Sequence, residues 1–308
     1  MLSVALLAAC RGPQSALDPH SPEAAALAEL WWLMLSGATL LLLGVMALAA
    51  YAMYRNPRRR AALNPQALLI GAGLILPSVT LAALLIWGTL VGRSLLSGPA
   101  DALAIDVVGR QWWWEIRYPE AQVVSANELV VPVGRSVELR LHSEDVIHSL
   151  WLPTLAGKTD LIPGKRNRLR FQADRPGVVL GQCAEFCGLL HAHMRLVVRV
   201  LPQAEFVAWL RERGDAARAE RLSGQAAGTA AFAALRCARC HTLDGARADA
   251  RGPDLSHYAA RTAMPDRARL AAWLIERHPA ELRGRFGVQP VPSPEQAGEL
   301  AALLERLR

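Results

Sequence analysis

Two stretches of this chain run free of charge for longer than a bilayer is thick. Leu30 to Tyr54 and Ala67 to Val91 are almost wholly apolar, and each exceeds the roughly 20 residues that span a hydrocarbon core. Trp31 and Trp32 open the first stretch, and Tyr51 and Tyr54 close it, where aromatic belts form at membrane–water interfaces. Pro77 lies inside the second, and membrane helices tolerate such a break. Buried helices of a soluble core would be expected to carry some charge. The pattern therefore predicts a transmembrane hairpin over 30–92, with helices at 30–54 and 67–91. Between them, Arg55-Asn56-Pro57-Arg58-Arg59-Arg60 falls in the cytoplasm by the positive-inside rule. Residues 10–29 and everything after Arg93 then lie outside a bacterial inner membrane, with the lipid bilayer as a partner.

Beyond the second stretch the period changes to two. Short alternating runs at Ile105–Val108, Val137–Leu141, Leu169–Phe171 and Leu196–Leu201 are separated by turn signals at Pro132-x-Gly134, Ile162-Pro163-Gly164 and Pro176-Gly177. Such spacing predicts an all-β Greek-key sandwich over 104–202. Gln203 to Leu222 is rich in Ala, Arg and Glu, and Ser-Gly-Gln-Ala-Ala-Gly follows; together they read as a helical linker over 203–225. An all-α domain over 226–308 completes a multidomain membrane protein.

Composition narrows the function. The 308 residues carry a net charge of +7 with only 20% charged residues. Apart from Arg58-Arg59-Arg60, the arginines alternate with acids instead of forming runs, which argues against nucleic acid as a partner. Met1 to Ala9 is apolar, and Leu7-Ala8-Ala9-Cys10 resembles a bacterial lipoprotein cleavage box. Residues 1–9 would then be a leader and Cys10 a lipidated anchor. A free Cys10 is the alternative, because the charged start of a usual secretory signal is missing.

The chemistry concentrates in Cys183-Ala-Glu-Phe-Cys187-Gly-Leu-Leu-His191-Ala-His193-Met194. Thiolate, imidazole and thioether are soft ligands that select copper over magnesium or calcium. Zinc needs no methionine. Two thiols are enough to bridge two metal ions, so the loop reads as an electron-transfer site. Upstream, Asp145-Val146-Ile147-His148 supplies His148 at the end of the alternating Val137–Leu141 run. Alone it would read as a partly buried loop histidine; beside this cluster it reads as a further copper ligand.

These residues carry a resemblance. Cys183-x-Glu185-x-Cys187-Gly188-x-x-His191-x-x-Met194 resembles the binuclear copper motif (CuA) of cytochrome c oxidase subunit II. The stretch Asp145 to Lys165 and the run Gln111-Trp112-Trp113-Trp114, placed on the first strand, resemble the same family. The resemblance implies a cupredoxin fold, with Cys183 and Cys187 bridging the coppers and His148, His191 and Met194 as terminal ligands. It implies that Glu185 gives its backbone carbonyl to copper and its carboxylate to a magnesium shared with subunit I. Trp112 would be where electrons arrive. Partners would be subunit I, which holds the oxygen-reducing site, subunit III, and a soluble or membrane electron donor. The implied activity is that of a subunit of cytochrome-c oxidase. A CuA-containing subunit of a nitric oxide reductase and a membrane-tethered copper-binding protein are the alternatives.

The last domain opens with Cys237-Ala-Arg-Cys240-His241, the attachment signature of heme c, in which two thiols bind the vinyl groups and the histidine ligates iron. A redox pair or half a zinc site would leave His241 and Gly252-Pro253-Asp254-Leu255 unexplained; that tetrapeptide resembles the proximal loop of small cytochromes c. With this domain the chain resembles the caa-type oxidases. Comparable domains place a methionine before a late proline as sixth ligand, where this chain has Gln289-Pro290; Met264 in Met264-Pro265, His257 or His278 could substitute. Many subunits II also place a glutamate at the start of the second helix, where this chain reads Asn64-Pro65-Gln66.

Overall fold

The structure is a computed structural model and describes residues 11–54, 64–213, 226–243, 252–256, 258, 266–276 and 290–307. The leader and Cys10, the Arg55–Arg60 loop, the far end of the Gln203–Leu222 helix, and His257, Met264, His278 and Gln289 lie outside the described residues.

Helix α1 spans Pro22–Tyr54, starting eight residues before the expected apolar boundary. The reason is its cap. Ser21 Oγ accepts the Ala24 N–H at 3.0 Å, and Pro22 follows, where a missing N–H costs nothing. Ala24 and Ala28 are buried, so the first turns dock on protein while the apolar remainder is exposed. The second expected helix has three parts: α2 (Pro65–Ile70), a π-helical turn at Gly71–Ile75, and α3 (Leu76–Leu96). Pro77 cannot donate to the preceding turn, and a wider turn there is one of the usual accommodations of such a break. Asn64 caps α2 by accepting the N–H groups of Gln66 and Ala67 at 3.1 Å.

Ten strands form two five-stranded sheets: β1 Leu103–Arg110, β2 Trp113–Tyr118, β3 Val123–Ala126, β4 Glu128–Pro132, β5 Ser136–Ser143, β6 His148–Trp151, β7 Lys158–Leu161, β8 Asn167–Gln172, β9 Gly177–Cys183 and β10 Arg195–Leu201. The orders are β3-β2-β1-β5-β8 and β4-β10-β9-β6-β7. Inward positions of both sheets, among them Ile105, Ile116, Leu139, Phe171, Leu150 and Val198, are buried in one core. Alternation exposed four of these strands, β1, β5, β8 and β10, in the sequence.

Three expectations need correction. Trp112 is not on the first strand but in the turn between β1 and β2. His148 does not end the Val137–Leu141 strand; it begins β6 in the opposite sheet. The cause is a local turn in which Ser143 Oγ donates to Val146 O and accepts from Asp145 N, while Asp145 Oδ1 accepts from Val146 N. Side chains of Ser and Asp offer the backbone these partners in place of a ladder. Third, the start of the expected linker belongs to the sandwich. Helix α4 (Gln203–Glu212) buries Phe206 and Trp209 against Tyr118, whose ring centroid is 5.2 Å from that of Trp209.

The C-terminal region is helical: α5 Ala226–Ala234, α6 Arg267–Glu276 and α7 Pro294–Arg306. Phe232, Leu235, Leu270, Leu300 and Leu304 form its core. Ser293 and Gln296 close a capping box at the start of α7.

Candidate metal centre

Strand β9 delivers Cys183 opposite Leu150 of β6, two residues beyond His148. The loop that follows turns on itself before β10. Cys183 N donates to Met194 O at 3.0 Å and Ala184 N to Ser149 O at 2.8 Å, while a single 3₁₀ turn holds His191–His193. Gly188 has φ +117, a backbone state that side chains rarely adopt. Its missing Cβ also leaves room for Gln111 and Trp112, since a Cβ there would lie 3.1 Å from Gln111 Nε2.

The result is a cluster of soft donors. Cys183 Sγ and Cys187 Sγ are 3.9 Å apart. His148 Nδ1 lies 3.9 Å from Cys183 Sγ, and His191 Nδ1 lies 3.6 Å from Cys187 Sγ. Met194 Sδ is 3.8 Å from Cys187 Sγ, and the Glu185 carbonyl is 3.2 Å from Cys183 Sγ. One donor set thus brings together every copper ligand expected from the sequence. Cys183, Cys187, Met194 and His148 are buried. Glu185 carries its carboxylate at an exposed position and turns its carbonyl inward. The residues fit a thiolate-bridged copper pair: two thiols, two imidazoles, a thioether and a carbonyl, within reach of one another and sheltered from water.

Neighbouring residues, among them Asp145 and Gly109, orient these donors. Asp145 Oδ1 is 2.8 Å from His148 Nε2 and its other oxygen accepts the Gln111 N–H at 2.6 Å. A carboxylate on the far nitrogen fixes the imidazole and leaves Nδ1 facing the thiols. Gln111 Nε2 and Trp112 Nε1 both donate to the Cys187 carbonyl, at 2.6 and 3.1 Å. The Trp112 indole therefore touches a ligand's own backbone. Gly109 leaves space for the His148 ring, because a Cβ would fall 2.8 Å from His148 Cδ2. The signal for Asp145 was its place three residues before His148, but only the turn at Ser143 brings its carboxylate to the ring.

The electrostatics favour a cation. Burial opposes ionisation of Cys183, but hydrogen bonds from His148 and backbone groups outweigh it and bring the thiol down to about 7. Burial and then the Cys183 charge push Cys187 up to about 12. Two thiolates this close repel, so the second proton leaves only when a cation replaces it. Burial works against a charge on His148, yet its partners Asp145 and Cys183 win and raise its pKa. Asp145 is lowered despite its own burial, by hydrogen bonds from His148, Gln111 and Val146.

A second site forms in the helical region. His241 Nδ1 lies 2.8 Å from the Pro253 carbonyl, and burial lowers its pKa in spite of that bond and the nearby Asp254. The ring is therefore neutral, with Nδ1 occupied as donor and Nε2 left to bind. Gly252 permits the approach: a Cβ would sit 2.8 Å from His241 Cε1. Asp254 accepts from Thr242 Oγ1 at 2.7 Å and from Ser256 N at 2.9 Å, which ties the Gly252–Ser256 loop to the residue after His241. Cys237 and Cys240 are half-buried beside the ring's segment. The thiols, the neutral imidazole and the glycine cradle fit covalent heme attachment.

Comparison with known proteins agrees on the sandwich. Residues 121–201 match the family model for the periplasmic domain of cytochrome c oxidase subunit II. The sandwich is a cytochrome c oxidase subunit II domain. Cytochrome c oxidase subunit 2 of Alkalihalophilus pseudofirmus is 33% identical over 215 residues, covering 68% of this chain and 61% of that one. The Bacillus subtilis subunit 2 is 30% identical over 224 residues, covering 68% and 63%. The chain thus spans a little over three-fifths of these relatives' lengths. Among solved structures, the periplasmic domain of subunit II of cytochrome oxidase of Bradyrhizobium japonicum is 34% identical, with 38% of this chain and 95% of that one covered and a TM-score of 0.36. A subunit II domain of this family implies a binuclear copper site, and the buried His148–Cys183–Cys187 cluster, with ligand atoms within 4.8 Å of one another, lies inside the matched segment. Two helices long and apolar enough to cross a membrane precede the domain.

Proposed function

We propose that the chain is subunit II of a respiratory cytochrome c oxidase, carrying electrons from a donor towards subunit I, where oxygen is reduced to water and protons are pumped. The observation that carries this reading is the donor set itself: Cys183, Cys187, His148, His191, Met194 and the Glu185 carbonyl drawn together from two sequence regions. Cys183 and Cys187 would bridge the metals, with the imidazoles and thioether at the ends. Cys237 and Cys240 would attach heme c and His241 would ligate it. When bound, copper and heme supply what no side chain here can, the reversible uptake of single electrons at low reorganisation cost.

The chain's own residues prepare that chemistry. Asp145 holds the His148 ring in one tautomer, and the β6–β9 pairing limits how far His148 and Cys183 can separate. Trp112 occupies the turn beside the Cys187 carbonyl, a half-buried aromatic surface where a donor can approach. The exposed Glu185 carboxylate is free to share a magnesium ion with subunit I. His241, kept neutral by burial, presents Nε2 to iron. The outward placement of the sandwich and helical region and the lipidation of Cys10 belong to the same proposal.

The test is turnover. Expressed with its oxidase partners, the full chain should sustain oxygen consumption with reduced donor, and Cys183→Ser should abolish it while heme c still reduces. Nitric oxide turnover without oxygen turnover would place the chain in a reductase instead. Copper binding without either turnover would indicate a tethered copper carrier.

A further inference from the structure

The outer face of the first sheet carries an arginine arrangement that the electron-transfer reading does not use. Arg140 on β5 and Arg168 on β8 are direct cross-strand partners, and Glu138 faces Arg170 one step along. Glu138 is the carboxylate shared by all three: Arg170 Nε bonds Oε2 at 2.8 Å, with its Nη2 on the same oxygen. Arg140 Nε is 3.5 Å away and Arg168 Nη1 is 3.9 Å away. Three guanidinium groups therefore share one carboxylate. Burial works against the charge on Glu138, but Arg170, Arg168 and Arg140 hold its pKa below the usual range, so the carboxylate stays ionised and the cluster keeps a surplus of two positive charges. On the next strand Asp106 is the register partner of both Arg140 and Arg117, and among the described residues no ion pair joins it to either.

Like charges directly opposite each other on paired strands are destabilising. Arg168 is 67% exposed and Arg140 47%, so their heads point outward, and an anion between them would remove the cost. Position tells which anion. β8 is the edge strand of its sheet and lies across the outer ends of both apolar helices. Arg170 Nη1 donates to the carbonyl of Leu96, the last residue of α3, at 3.1 Å, and the Gln172 N–H donates to Glu23 in the first turn of α1 at 3.1 Å. Residues 73–92 are uncharged and long enough to fill a hydrocarbon core. Leu96 then stands three residues past Arg93, about 5 Å beyond the core at the helical rise, which is the level of the headgroup layer.

We infer that Arg140, Arg168 and Arg170 form a binding site for the phosphate of an anionic phospholipid, at the membrane edge of the sandwich. Guanidinium forks match phosphate oxygens, and basic side chains at a membrane surface attract anionic lipid. The site would seat the copper domain on its membrane as well as on its helices. It rests on the two helices spanning the bilayer, and the test separates the two claims.

The full chain, purified in mild detergent, would be incubated with phosphatidylglycerol and its bound lipid counted by native mass spectrometry. R140Q/R168Q should bind the lipid about thirtyfold more weakly than the parent. R140K/R168K should retain most of it, and R211Q/R269Q, which removes the same charge elsewhere, should match the parent. Without lipid, R140Q/R168Q should melt no lower than the parent, because opposed like charges have been removed; a lower melting point would mean that the arginines are structural. Equal lipid retention by R140Q/R168Q and parent would overturn the site. Displacement of phosphatidylglycerol by millimolar inorganic phosphate would overturn the lipid as its ligand. So would protection of these arginines from guanidinium-modifying reagents by a partner subunit in a lipid-depleted complex. Extraction of the chain from vesicles by carbonate would instead refute the spanning helices.

Discussion

The sandwich and the C-terminal helical region each fix one imidazole, His148 and His241, but they hold it by different means. In the sandwich, two sheets bury a continuous core of Ile105, Leu139, Phe171, Val198 and their neighbours, and the donors sit at one end of it. His148 is fixed by strand pairing, by Asp145 and by the space over Gly109. Among the described residues the helical region has a smaller core, drawn from α5, α6 and α7, and there His241 is held through the Pro253 carbonyl of one short loop. A scaffold with its own core can wait for its metal. A small one gains much of its folding free energy from what it binds.

The largest expected effect follows from that contrast. Copper removal by a chelator should leave the sandwich folded, with its strand signature and cooperative melting intact. Blocking heme attachment with Cys237→Ala/Cys240→Ala should cost the helical region its cooperative transition. Differential scanning calorimetry of the two preparations checks this; equal losses would erase the distinction.

The two glycines allow a matched comparison. Gly109→Ala pushes a Cβ onto His148 and Gly252→Ala pushes one onto His241, each at 2.8 Å. Overpacking of this kind costs about 1–3 kcal/mol. The better-braced sandwich should absorb it mainly as weakened copper binding, and the helical region as lower stability. Copper titration and thermal melting of the two variants separate these outcomes.

Asp145→Asn should come next, with copper affinity lowered by about 10–100-fold and heme c absorption unchanged. The smallest effect is in pH. Metal binding must displace the Cys187 proton throughout the physiological range, because that thiol lies near 12. Cys183, near 7, adds a second proton below that pH, and His148, raised by Asp145 and Cys183, adds to it. Copper affinity should therefore fall as pH decreases, and more steeply below about 7 than above. Isothermal titration at several pH values measures that slope. His241, already neutral, should give the heme site no comparable dependence.

The same two regions show what a sequence can reveal. The copper loop was legible because five of its donors, counting the Glu185 carbonyl, lie within twelve residues, and one β-turn-rich segment supplies the sixth. The apolar helices were legible by length, although their ends were not: Ser21 and Asn64 cap them, and caps are single polar residues without periodicity. Strands β1, β5, β8 and β10 carried visible alternation. What stayed hidden was long-range. Nothing local in Asp145-Val146-Ile147-His148 says that the chain crosses to the other sheet, or that Gln111 and Trp112 reach the carbonyl of Cys187 from 75 residues and more away. Nothing in the Ala/Arg/Glu-rich linker helix marks Phe206 and Trp209 as core, because their partner, Tyr118, lies in another part of the chain.

Bridging of two copper ions by Cys183 and Cys187 can be read directly by low-temperature EPR of the copper-loaded full chain. A single unpaired electron with hyperfine coupling to two equivalent copper nuclei, lost in both Cys183→Ser and Cys187→Ser, is the predicted result. Coupling to one copper nucleus alone, or a signal that survives loss of either cysteine, would contradict it.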